Sequence, residues 1–180
     1  MVKRFVRAFA VAAIGSLLVG ATAQAQQPQT RSGFWFSGGL GYGSLGCDNC
    51  GSREGGLSGN LSLGGTITPR FLLGVGTTGW TKSEQGARLT VGTLDARVRF
   101  YPATAGNFFL TGGVGMGSET AEISGFGSST ETGVGVVLGL GYDFRISRNT
   151  SLTPYWNAFA MKTDNADANV GQVGLAITIH

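Results

Sequence analysis

Very few side chains in this 180-residue chain are equipped for chemistry. Its one histidine, His180, is the last residue, so a Ser-His-Asp or Cys-His arrangement would have to be assembled around the chain end. Glu119, Glu122 and Glu131 bracket one Ser/Gly-rich segment. Carboxylates of this kind bind a divalent cation with the help of water, but a solvated loop accounts for them more simply. Cys47 and Cys50 form a CDNC motif. A zinc site needs about four ligands, and two thiols without a neighbouring histidine fall short. Redox chemistry needs a helix N-terminus to lower a thiol pKa, and the flanking Gly46 and Gly51 discourage a helix. The runs GLGYG and GVGMG keep strand alternation with no helix after them, so they do not cradle phosphate. These residues predict no catalytic group, no metal site and no cofactor, and the chain is not read as an enzyme.

The remaining charges are more informative because of where alternation puts them. Asp95, Arg97 and Arg99 share one parity, and so do Asp143 and Arg145. The second pair closes the run TGVGVVLGLGYDFRI, residues 132–146. There Val134, Val136, Leu138, Leu140, Tyr142, Phe144 and Ile146 fall on one side of a period-2 strand. Glycines, Val137, Asp143 and Arg145 fall on the other. A half-buried strand in water turns its apolar face inward and shows a charged one outward. Here the apolar face is continuous and the run exceeds the roughly five or six residues of a typical globular strand. A tilted strand of about ten residues crosses a bilayer with its apolar side to lipid. The charges then point into a lumen, where unpaired they cost several kcal/mol each. The expectation is one internal salt-bridge network of Asp95, Arg97, Arg99, Asp143 and Arg145 that fills the lumen.

The N-terminus has the order of an export signal. Lys3, Arg4 and Arg7 precede the apolar stretch from Phe9 to Gly20, and Ala23-Gln24-Ala25 matches an A-x-A cleavage site. Residues 1–25 are therefore expected to be a cleaved signal peptide. The formal net charge of +3 comes from 13 basic and 10 acidic residues, and three of the basic ones sit in the leader. The rest of the chain is balanced in charge and offers nothing to nucleic acid. An exported chain meets an oxidising compartment, so Cys47 and Cys50 are expected to form a local disulfide. No later run approaches 18 apolar residues, so no helical span is predicted.

Residues 26–32 read as a polar periplasmic lead-in, and 33–180 as one domain of eight strands: 33–45, 57–68, 71–82, 88–101, 108–118, 132–146, 151–161 and 170–180. Two of them are irregular. Leu72 and Trp80 oppose Phe71, Leu73 and Val75, while Leu89 and Val91 oppose Leu94, Ala96, Val98 and Phe100. A bulge at Gly92 would repair the second slip. Connections at Pro69, Pro102 and Ser147 are tight, and those at Cys47, Ser83, Glu119 and Asp164 are more polar. An even strand number with short turns on one rim describes an outer-membrane barrel with both termini periplasmic. Phe71, Phe100, Tyr101, Phe108, Tyr142 and Phe144 gather at the short-turn ends as a periplasmic aromatic girdle. Closure is required because each unpaired backbone group in hydrocarbon costs several kcal/mol. The predicted fold class is all-β, an eight-stranded antiparallel up-and-down transmembrane β-barrel. Its many lumen glycines leave two readings open, tight curvature or a small cavity in the outer half.

The leader, the eight alternating strands, the GLGYDF segment and the closing VGLAITIH make the chain resemble the small eight-stranded outer-membrane β-barrel proteins of the OmpA-barrel and OmpX kind. The resemblance covers residues 33–180. It implies an integral protein of the bacterial outer membrane, a monomer in contact with outer-membrane lipid and lipopolysaccharide and handled by the barrel-assembly machinery. Such proteins usually end in an aromatic such as Phe, whereas this chain ends Ile179-His180. Three roles are then open: a structural or surface-interaction body, a narrow pore, or a lipid-modifying enzyme with polar groups at the outer rim. The loops are short for adhesion, no catalytic trio is visible, and eight strands leave little bore. Elimination favours the first.

Overall fold

The computed structural model describes residues 31–47, 52–84, 86–123, 125, 127–163 and 167–180. The leader, and the lead-in as far as Thr30, lie outside the described residues. So does the expected disulfide, because Cys50 is not described and only the backbone of Cys47 is.

Alternation produces strands throughout: β1 (Phe34–Cys47), β2 (Glu54–Thr68), β3 (Phe71–Glu84), β4 (Ala87–Phe100), β5 (Phe108–Ile123), β6 (Gly127–Tyr142), β7 (Phe144–Arg145), β8 (Thr150–Lys162) and β9 (Asp167–Ile179). β7 prolongs β6 past an interruption at Asp143, so nine segments make eight staves. All pairings are antiparallel; β1 pairs with β9 and β6 with β8, which closes the ring. A row of register partners begun at Phe34 runs through Gly65, Leu73, Val98, Gly112, Leu138, Ala158 and Gly171. It returns to β1 at Ser44, ten residues along. That stagger tilts the strands, as closure of a barrel demands.

Burial is inverted relative to a soluble barrel. Leu40, Tyr42, Leu57, Leu94, Val134 and Leu138 are all more than half exposed on the outside, while Trp35, Leu72, Trp80 and Val137 are buried inside. An exposed apolar belt of this extent is stable against lipid and a liability in water. The start of β1 and the end of β9 share one rim, called the terminal rim below, with the turns at 69–70, 101–107 and 146–149; the opposite rim is called the far rim.

Two features differ from expectation. β4 has no bulge at Gly92: β3 and β4 stay in register from Phe71 opposite Phe100 to Glu84 opposite Ala87. Leu89 and Val91 keep the inward parity of Arg99 and join Trp80 inside the barrel. What changes along β4 is the lumen, polar in its middle and apolar near the far rim. The second difference is at the far rim, where segments read as loops are largely strand. β5 runs to Ile123 and β6 starts at Gly127, and the two pair as a hairpin from Glu119 opposite Glu131 to Ile123 opposite Gly127. Thr120 and Thr130 hydrogen-bond across it at 3.0 Å. Such a cross-strand Thr pair, like Thr81 and Thr90 at 3.1 Å, supports the sheet beyond the apolar belt. Gly125 and Gly127, with φ of +87° and +99°, permit the reversal at the tip. The hairpin projects seven positions past Met116 and Val134, the last lipid-facing apolar residues of β5 and β6.

Candidate functional site

The lumen is filled in three layers. Nearest the far rim, Leu45, Trp80, Val91, Val137, Phe159 and Val170 are the main members of a buried apolar cluster. The Trp80 indole Nε1 donates to the Gly43 carbonyl at 3.1 Å, so even its polar atom is satisfied. The outer half therefore holds packed side chains where its glycines had left a cavity open as a reading.

Above this cluster, Glu119 of β5 stands directly opposite Glu131 of β6 on the inward parity, and Thr163 donates to Glu131 at 3.2 Å. Like charges in a cross-strand pair oppose each other. Burial, and then the facing Glu131, push the Glu119 carboxyl above its ordinary value of 4.5. A carboxyl raised in the folded state contributes stability below its unfolded pKa and loses it as pH rises through the folded one. The hairpin should therefore be better protected from amide hydrogen exchange at pH 4 than at pH 7.5. Glu119→Gln should bring the pH 7.5 protection up to the acidic level; an unchanged pH dependence in that variant would refute this.

In the middle layer Arg97 and Asp95, only 2% and 3% exposed, form a two-pronged pair. Arg97 Nε donates to Asp95 Oδ1 at 2.7 Å and Nη2 to Oδ2 at 2.6 Å. Nη2 also donates to Thr78 at 2.8 Å, and Thr93 donates to Asp95 at 3.2 Å. Such charge-assisted forks are the strong hydrogen bonds of protein interiors. The neighbouring glycines make room for them. A Cβ at Gly76 would strike the Arg97 guanidinium, and one at Gly113 the Asp95 carboxylate.

The floor, at the terminal rim, is built on Trp35, Leu72, Tyr101 and Phe109. Asp143 is fully buried here because β6 breaks at this residue, its N–H donating to the Asn107 carbonyl at 2.9 Å. Its carboxylate accepts from the Tyr101 hydroxyl and from Thr153, both at 2.7 Å, and lies 3.3 Å from His180 Nε2. Thr153, Thr178 and Ser37 continue the chain of hydroxyls at 2.9 Å each. From the lead-in, Arg31 donates to the carbonyls of Pro69, Thr104 and Gly106 and stacks on Tyr101 at 3.5 Å. Arg99 lies over Trp35 at 4.8 Å and over Phe109 at 4.1 Å.

Of the five charges expected in one network, Asp95, Arg97, Arg99 and Asp143 are buried in the lumen, and Arg145 sits half-buried in β7. Asp95 pairs directly with Arg97, whereas Asp143 has Arg99 within electrostatic reach at the floor. The register row through Arg97 crosses Gly113 and meets β6 at Val137, six residues short of Asp143, so Asp95 alone reaches Arg97. Of the predicted girdle, Phe71, Phe108, Tyr142 and Phe144 are exposed and Phe100 is half-buried. Phe71 and Phe100 pack at 4.7 Å, as do Tyr142 and Phe144. Tyr101 departs from the girdle. Its N–H ties to the Arg70 carbonyl at 2.8 Å where β4 ends, and this turns the ring inward to Asp143. His180, the last residue, is likewise inside, with a side chain 3% exposed. Sequence reasoning also missed Arg31 and the apolar cluster; the off-parity Leu72, Trp80, Leu89 and Val91 were its visible signal. Among the described residues no group of three His, Cys, Asp or Glu is arranged to hold a metal. Tyr101, Asp143 and His180 converge, but they are enclosed and bonded to one another.

A ring of eight tilted staves, apolar outside and filled within, is the geometry against which likenesses can be judged. The family model described as Outer membrane protein beta-barrel domain matches residues 11–178. The chain belongs to this family. As an outer-membrane β-barrel it shares its fold with three solved structures. Ail, the attachment invasion locus protein of Yersinia pestis, is 13% identical, with 83% of this chain and 100% of that one covered and a TM-score of 0.62. Neisserial surface protein A is 17% identical over 82% and 97%, with a TM-score of 0.62. The N-terminal β-barrel domain of Pseudomonas aeruginosa OprF is 14% identical over 85% and 100%, with a TM-score of 0.53. No curated protein sequence matches the chain.

Proposed function

We propose that this outer-membrane β-barrel is a closed, non-conducting body with a structural or surface-interaction role, exercised through the hairpin that projects from its far rim. The observation that carries the reading is the lumen, where an apolar cluster, an ion-paired middle and an aromatic floor succeed one another. A narrow pore would need that interior to be open. A lipid-modifying enzyme would need a reactive group at the far rim. There Glu54 and Glu84 are both held by Lys82 at 2.7 Å, and His180 is at the opposite end. In this reading the termini and short turns are periplasmic, the far rim meets lipopolysaccharide, and the exposed aromatics mark the periplasmic interface. The buried charges hold the barrel shut and bind no substrate.

The exported protein should fractionate with outer membranes, migrate differently on gels before and after boiling, and show no conductance in planar bilayers. Appreciable conductance by the folded form would replace this reading with the pore. Cys47 and Cys50 should give no maleimide-reactive thiol without reductant, and quantitative labelling would count against the disulfide. Its loop is so short that its entropic contribution to stability should be small.

A further inference from the structure

Charge is segregated between the two rims. Among the described residues, every carboxylate side chain except the buried Asp95 and Asp143 stands toward the far-rim end of its strand, from Glu54 to Asp167, and none is exposed at the terminal rim. The terminal rim exposes arginines instead. Arg70 lies in the β2–β3 turn and Arg148 in the turn between β7 and β8, with Arg145 half-buried in β7.

Each exposed arginine sits just past a pair of outward-facing aromatics. Arg70 precedes Phe71, which packs on Phe100, and its guanidinium lies 5.9 Å from the Phe100 ring. Arg70 Nε donates to the Tyr101 carbonyl at 3.4 Å and Nη2 to the Pro102 carbonyl. These bonds hold the guanidinium at the rim and leave Nη1 for an acceptor outside the chain. Arg148 follows the pair Tyr142 and Phe144 and the exposed Ile146. Its turn is closed by the N–H groups of Ile146 and Ser147, both donating to the Thr150 carbonyl at 3.0 Å. No described residue accepts from the Arg148 side chain. Aromatic rings of this kind mark the headgroup level of a bilayer, so an arginine just beyond them meets headgroups before anything farther out. A guanidinium is always charged, and its fork of donors matches the oxygens of a phosphate. The two turns are half the ring apart, so each arginine serves its own lipid.

We propose that the terminal rim binds anionic phospholipids of the phosphatidylglycerol class, with Arg70 and Arg148 each holding the phosphate of one headgroup. The inference rests on the reading of this rim as periplasmic, which puts phospholipid against it. The carboxylates of the far rim repel the same lipids, so the asymmetry also favours one orientation of the barrel across the membrane.

The test compares wild type with the double variant Arg70→Gln, Arg148→Gln, refolded into vesicles of phosphatidylcholine alone or of phosphatidylcholine with phosphatidylglycerol. Adding phosphatidylglycerol should raise the folded-to-unfolded ratio of wild type more than that of the variant, by about fivefold per arginine and about 30-fold for both. Far-rim effects are common to the two proteins and cancel, and the phosphatidylcholine baseline absorbs the lost carbonyl bonds of Arg70. The difference should vanish at about 1 M salt, where the Debye length is about 3 Å. Equal responses, or a difference that high salt leaves intact, overturn the proposal. Equal responses together with lost co-sedimentation of the variant with purified peptidoglycan would assign the arginines to the cell wall. The vesicle result does not depend on which rim is periplasmic, because both leaflets carry the lipid. Orientation is read separately, with Arg148→Cys in a chain carrying Cys47→Ser and Cys50→Ser. An impermeant maleimide should leave this cysteine unlabelled in intact cells and label it once they are broken. Labelling in intact cells would overturn the periplasmic placement of the rim.

Discussion

Asp95→Ala should destabilise the barrel by about 3–5 kcal/mol, the range for removing one partner of a buried ion pair. The reason is local. Arg97 is 2% exposed, and with Asp95 gone its guanidinium retains only the Thr78 hydroxyl at 2.8 Å. Restoring neutrality should restore stability. Asp95→Ala combined with Arg97→Met should recover most of the loss, because a well-packed apolar side chain often replaces a buried pair at no net cost. Urea unfolding in lipid vesicles measures all of these. The same cycle separates the two buried centres. Asp95 and Arg97 should show a large coupling energy, whereas Asp143→Ala and Arg97→Ala should add within about 0.5 kcal/mol. A cost below 1 kcal/mol for Asp95→Ala, on the order of an exposed pair, would mean that water screens the middle of the lumen, and the closed-barrel reading would fall with it.

Trp80→Ala should cost a similar amount, about 3–5 kcal/mol, by deleting the largest side chain of the apolar cluster near the far rim. The upper part of that range is expected because the site cannot collapse. The ring lies against the backbone at Gly43 and Gly56, where even an added methyl group would strike it. The substitution also strips the Gly43 carbonyl of its indole partner. Conductance should remain absent, since the Asp95–Arg97 layer lies deeper and is untouched. A loss under about 1.5 kcal/mol, the scale of a conservative core swap, would show that the cluster is loosely packed.

Sequence by itself determined the staves and which of their faces meets lipid. Side-chain alternation has period two, and the run from Val134 to Ile146 admits one solution: the apolar parity goes outward and a closed ring satisfies the backbone. It also determined that Asp95, Arg97, Arg99 and Asp143 face inward, because parity alone decides that. Partner choice was decided by the tertiary structure. Whether Arg97 meets Asp95 or Asp143 depends on the ten-residue stagger, which sets the two carboxylates at different depths and is written in no single strand. The lumen glycines are ambiguous for the same reason. Gly76 and Gly113 are empty positions along their own strands and become the seats of Arg97 and Asp95 only when neighbouring strands align. Leu89 and Val91 look like a register slip in one strand, and only the ring, by bringing Trp80, Val137 and Phe159 to the same depth, makes them part of an apolar plug.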